Sequence, residues 1–197
     1  MKKGFTLIEI VIVLAVIAAI AAFLSPRIWE YTEKSRAVRA ANGCRTLAEA
    51  ILSFEKDLRT FPVYSTTPLS IANATLNVLF TDGNEGTPSG GAGTQDWVSG
   101  NRDHLRNHLE KGLTSGGQPY PRASLFRWKG PYHSDFHADP WGSRYYVNAS
   151  HFYSSGNNAV WVLSAGPNGL IEANFTQSAA GSAPPALGGD DIGYRIK

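Results

Sequence analysis

The chain has 197 residues, 43% of them apolar, and a formal net charge of +2. That length accommodates one globular domain plus an extended element. So small a charge gives no reason to expect nucleic acid as a main partner. The one cysteine, Cys44, rules out an intrachain disulfide.

The first element is MKKGFTLIEIVIVLAVIAAIAAFL. Its residues alone admit two readings. One is a secretory signal peptide, with Lys2 and Lys3 as the basic region and the alanines near Ala18–Ala22 as a cleavage site. The other is a retained anchor, since Phe5 to Leu24 rises about 30 Å as a helix, one hydrocarbon core. Lys2 and Lys3 then stay cytoplasmic. Glu9 is awkward for both, because a carboxylate inside an apolar stretch costs about 2.5–3.5 kcal/mol at mid-membrane.

GFTLIE followed by a long apolar run resembles the leader of type IV pilins and type II secretion pseudopilins. The resemblance implies cleavage by a prepilin peptidase after Gly4 and N-methylation of the new terminus, Phe5. It also implies that the apolar segment is kept. Glu9 then becomes the fifth residue of the mature chain, and its implied partner is the α-amine of a neighbouring subunit. Two opposite charges attract strongly in a low dielectric, and an unpaired one is penalised. The resemblance thus implies that Glu9 is an assembly residue.

Ser25-Pro26 comes next, and apolar residues recur at spacings of three and four from Ile28 to Leu58. The pattern predicts one helix from about Phe5 to Leu58, membrane half first and amphipathic half second. Pro26 removes a backbone donor and predicts a kink near Ala22. Phe61-Pro62 ends the helix. A short helix is expected at Ala74 to Phe80, then a Gly, Ser and Thr-rich loop. DWVSGNRDHLRNHLEKG reads as another helix ended by Gly112. RYYVN and AVWVLS read as neighbouring antiparallel strands packed on the long helix. GPNG is a turn signal.

DPWGSRYYV, VLSAGPNG and DDIGYRI follow in an order that resembles the C-terminal half of the type II secretion major pseudopilin. AEAILSFEKDLRTFP resembles the end of that family's long helix, with Asp57, Phe61 and Pro62 matching. The resemblance implies one calcium ion in the last loop, with Asp190 and Asp191 as carboxylate ligands and Ala165 giving a backbone carbonyl. Asn168 stands where the family has an aspartate, one charge fewer. Residues 170–189 make the loop longer than the family's, and Glu172 or Asn174 are candidate replacement ligands. Calcium suits such a loop because it takes six to eight oxygens in irregular geometry.

Three other groups carry patterns that suggest a metal site or a basic binding face. His133, Asp135, His137 and Asp139 alternate as zinc ligands do on a strand, but Pro131 and Pro140 argue for a loop. His104 and His108 are spaced i, i+4 without a third ligand, and are expected to be exposed. Arg122, Arg127 and Lys129, among Tyr120, Phe126 and Trp128, suit packing or a subunit contact better than single-stranded nucleic acid.

The expected fold is α+β and pilin-like, a long helix on a small antiparallel sheet. The expected domains are a leader (1–4), a transmembrane or filament-core segment (5–24), an amphipathic continuation (25–60) and a globular domain (61–197). The last contains an insertion at about 81–118 and the extended loop 170–189. The expected function is a structural, non-enzymatic pseudopilus subunit for protein export. Implied partners are further copies in a helical filament, minor pseudopilins, the prepilin peptidase, an inner-membrane assembly platform and the bacterial inner membrane. Before assembly the chain would span that membrane once, with its C-terminal domain in the periplasm. The alternatives are a type IV pilus subunit for adhesion, motility or DNA uptake, and an anchored periplasmic enzyme or calcium-dependent binding module.

Overall fold

The computed structural model describes residues 4, 6–153, 156–178 and 187–197, with only the backbone of 23–26. One helix, α1, runs Leu7–Leu58. Its first stretch, up to Arg36, belongs to one compact unit, and residues 37–197 form a second. In the first unit the apolar side chains face outward: Leu7, Ile8, Ile10, Val13, Ile17 and Ile20 are each about half exposed or more. The backbone is helical across Pro26. The predicted kink depends on a residue whose side chain lies outside those described.

In the second unit α1 becomes amphipathic, as the spacing predicts. Cys44, Leu47, Ala48, Ile51 and Phe54 are buried, while Arg45 and Glu49 pair at 2.8 Å on the open face. The helix stops where Arg59 turns left-handed at φ 56°, its N–H bonding to the Glu55 carbonyl at 2.6 Å. Pro62 then prevents any resumption. Lys129 reaches back to Asp57 at 2.7 Å and holds its carboxyl below the usual range.

The strands are β1 (Val78–Phe80), β2 (Thr87–Pro88), β3 (Arg102–His104), β4 (Tyr145–Val147), β5 (Trp161–Ser164), β6 (Leu170–Ile171) and β7 (Ile192–Arg195). Five form a sheet in the order β3-β1-β4-β5-β7, and β2 pairs with β6 separately. The two strands read from RYYVN and AVWVLS are adjacent and antiparallel, with Tyr146 opposite Leu163. The sheet is mixed rather than wholly antiparallel, because β1 and β3 run parallel.

Side chains alternate across this sheet. Tyr145, Val147 and Val162 join the cluster built on α1, with Cys44, Ile51 and Phe54. Tyr146, Trp161 and Leu163 enter a second cluster with Trp97, Ile171 and Phe175. The sheet is thus covered on both faces, which explains why its central strands are apolar throughout rather than alternating with polar residues.

Two helix expectations are corrected. Residues 74–80 end in strand β1, preceded by a 3₁₀ turn at Ile71–Asn73. Val78, Leu79 and Phe80 alternate between the two covered faces, and tertiary pairing overrides the weak helical pattern. The 96–112 segment divides into a 3₁₀ turn at Gln95–Val98, strand β3 and a π-helical turn at Asn107–Lys111. Only the stop at Gly112 stands, in the left-handed region at φ 69°. The 81–118 region contributes to the sheet and to both clusters, Leu105 and Leu109 to the one on α1 and Trp97 to the other.

Candidate functional site

Two carboxylate sites stand out, one in each unit. The first is at the start of α1. Glu9 is the third helical residue and Thr6 precedes the first. The Glu9 carboxylate Oε2 accepts the Thr6 backbone N–H and the Thr6 hydroxyl, both at 2.8 Å. The Glu9 N–H in turn bonds to Thr6 Oγ1 at 3.3 Å. This is a reciprocal capping box, in which Thr and Glu each satisfy a backbone donor left open by the helix end. The helix dipole also favours an acid there. Thr6 was missed as a site residue, although Thr-x-x-Glu before an apolar run is its sequence signature. Gly4 is exposed, with open space around it. Phe5 lies outside the described residues.

The second site gathers the turn after β5, the start of the long loop and the entry to β7. Asp191 Oδ2 accepts the backbone N–H groups of Glu172 and Ala173, at 2.9 and 2.6 Å. Asp190 Oδ2 accepts the Asn168 N–H at 3.2 Å. Glu172 Oε2 accepts the Asp190 N–H and the Asn168 side-chain amide, at 3.2 and 3.3 Å. Two glycines make the packing possible: a Cβ on Gly166 would lie 2.4 Å from the Asp190 carbonyl, and one on Gly189 would lie 1.5 Å from Glu172 Oε2.

The site is short of positive charge. Among the described residues none of Glu172, Asp190 and Asp191 forms a salt bridge. Among the described residues, Asp190 Oδ1 and Asp191 Oδ1 are buried without a hydrogen-bond partner. Burial pushes the Asp191 carboxyl up to about 6, against the pull of its two backbone donors, and the charges of Glu172 and Asp190 add to the rise. Buried acceptors without donors are costly and call for a proton or a cation.

Of the ligands expected from sequence, the fold brings Asn168, Asp190 and Asp191 together and adds Glu172. Ala165 is fully buried in the second cluster and is not part of these contacts. Asn168 Oδ1 is engaged by the Leu170 N–H at 2.6 Å. The donor set is all oxygen and suits a hard cation. It is not a finished cage: among the described residues no group of three His, Cys, Asp or Glu side chains is arranged to hold a metal.

The other acidic and histidine groups are placed differently. Asp139 is buried and accepts the Ser164 hydroxyl at 2.6 Å and the Ser143 N–H at 2.8 Å, fixing the DPWG turn. His133, Asp135 and His137 line a cleft of about 330 Å³ with Arg39 and Tyr145. His108, expected to be exposed, is fully buried between Tyr120 Oη at 2.6 Å and Asp103 Oδ2 at 3.0 Å. His104 is partly buried against Asp82. Asn148 begins an N-x-S triplet yet is fully buried, with its side chain bonded to Ala159, Trp161 and Phe175 backbone atoms.

The prokaryotic N-terminal methylation motif matches residues 1–25. No curated protein and no solved structure is detectably similar to the chain. The matched motif is that of prepilin-type proteins, and it supports a type IV pilin-like subunit: a structural class rather than an enzyme, processed by a peptidase and assembled into filaments. The long apolar helix fits a membrane-anchored member of that class.

Proposed function

We propose that the chain is the structural subunit of a type II secretion pseudopilus. The observation that carries the filament reading is the first half of α1. Its membrane-length stretch is apolar, its described side chains are exposed, and it is headed by a methylation motif. An apolar helix with no partner of its own requires lipid or other helices around it, and such a subunit meets lipid first and sister helices later. The choice of pseudopilus over pilus rests on the C-terminal order of DPWG, SAGPNG and DDIGY.

The steps are those that the resemblance to pseudopilins implies. The peptidase cuts after Gly4 on the cytoplasmic side and frees the amine of Phe5, which is then methylated. The subunit waits as a single-pass protein of the bacterial inner membrane, its C-terminal unit in the periplasm. Glu9 holds its place through Thr6 until the Phe5 amine of a neighbour reaches its carboxylate. An assembly platform and minor pseudopilins start the filament, and repeated addition moves folded cargo outward. Asp190, Asp191, Asn168 and Glu172 would hold calcium, which would neutralise the site and tie the long loop to β7. The backbone carbonyl of Ala165 remains a candidate ligand.

The test is deletion with complementation in the parent organism, scoring protein export and surface pili separately. Lost export with intact pili supports the pseudopilus. Lost pili with intact export makes the chain a type IV pilus subunit. Normal export and normal pili overturn both.

A further inference from the structure

The 121–130 loop has no part in the proposed filament mechanism, and its chemistry is distinct. Residues 121–127 are exposed throughout. Its tip carries Leu125, 87% exposed, and Phe126, 48% exposed. The loop is nevertheless well held. The Trp128 N–H bonds to the Pro121 carbonyl at 2.8 Å and closes it, and the Ser124 hydroxyl donates to the Phe126 carbonyl. Basic groups flank the tip. The Arg59 guanidinium lies 5.9 Å from the Phe126 ring centre, and that of Arg122 lies 4.9 Å from the Trp128 ring. Among the described residues Arg59, Arg122 and Arg127 enter no salt bridge. The neighbouring acid, Asp57, is already taken by Lys129.

We propose that this loop docks on an anionic phospholipid bilayer, with Leu125 and Phe126 entering the interface and the arginines meeting headgroup phosphates. A rigid apolar tip ringed by cations is the composition that binds such surfaces, where each basic residue is worth about a five-fold gain. A protein partner fits less well. Two apolar side chains fall far short of the roughly 800 Å² per partner that a stable protein contact buries, whereas a bilayer demands no matching shape. Single-stranded nucleic acid also fits less well, since stacking needs successive open rings. Tyr120 is buried and Trp128 is covered by Arg122, so Phe126 alone is open. The chain also supplies its own tether: an apolar helix able to cross a membrane keeps the second unit near a bilayer, so weak docking suffices.

The test uses the full chain in phospholipid vesicles, with Ala123→Cys carrying a polarity-sensitive dye. Cys44 is fully buried and stays unlabelled. The expected result is a blue shift in vesicles containing about a third phosphatidylglycerol, little shift in pure phosphatidylcholine, and reversal by salt. Arg122→Gln with Arg127→Gln should weaken docking about 25-fold, by two five-fold steps. Leu125→Ser with Phe126→Ser should remove the blue shift. Equal shifts in both lipids overturn the proposal. So does a shift that follows protein concentration in detergent, which would indicate a second copy, or one that requires added oligonucleotide. Filament assembly is a separate readout, and its success or failure leaves this result untouched.

Discussion

The two acidic sites differ in how their charge is satisfied. Glu9 is exposed and finds its donors three residues away, in Thr6. Asp190 and Asp191 are partly buried, lie far along the chain from Asn168, and still keep two oxygens without donors. The first site needs only a helix start. The second needs the whole second unit to be folded. In the filament reading each waits for a different cation, an amine from another subunit in one case and a metal ion in the other.

The largest expected effect is on the first site. Glu9→Ala should leave leader cleavage intact and reduce assembly by about 100-fold or more, because losing one partner of a buried ion pair costs about 3–5 kcal/mol. The melting temperature of the second unit should not move. Normal filaments from this variant, seen by electron microscopy, would remove the pairing role. The second site should behave in the opposite way. Calcium at a hundred times its Kd adds about 2.7 kcal/mol, or about 5–10 °C for a chain this size. Asp190→Asn and Asp191→Asn should each abolish that gain. A calcium titration followed by thermal melting decides the matter, and identical melts with chelator and with calcium would sink the site.

A smaller effect separates the two acids by their local bonds. Thr6→Ala removes the hydroxyl half of the capping box, worth about 1 kcal/mol. Assembly should fall about five-fold, well short of the loss from Glu9→Ala. An effect as large as that loss would make Thr6 an assembly residue in its own right. The last expectation concerns pH. Burial lowers the His104 and His151 imidazoles below 6.5 in the folded state. The unfolded chain therefore takes up protons first as pH falls, and stability drops as pH goes below about 6.5. Asp191 acts with the opposite sign, since its folded carboxyl keeps a proton up to about 6. Melts between pH 7.5 and 5.5 in the Asp191→Asn background should show the histidine effect alone. A flat profile there would contradict it.

Much of the architecture was legible because its signals are periodic. The three-and-four spacing on α1 gave the helix to its last residue, and the runs around Tyr145 and Trp161 gave two central strands. The failures at 74–80 and 96–112 share one cause. Both segments are short, and their conformation is set by edge pairing and by the cluster around Trp97, which local sequence does not display. His108 failed for the same reason: its partners Asp103 and Tyr120 are brought to it only by the turn they stabilise.

The sites divide along the same line. The N-terminal site is local: Glu9 and its donor Thr6 are three residues apart and the methylation motif is contiguous, so sequence displays Glu9 and the motif, and the Thr-x-x-Glu spacing that marks Thr6 is there to be read. Sequence also supplied the acids of the second site, but not their surroundings. Tertiary structure decided that Glu172 joins them, that the Ala165 side chain is buried in the second cluster, and that burial raises the Asp191 carboxyl to about 6. Those outcomes depend on where a long loop returns to the sheet, and burial is a property of the packed chain rather than of any segment in it.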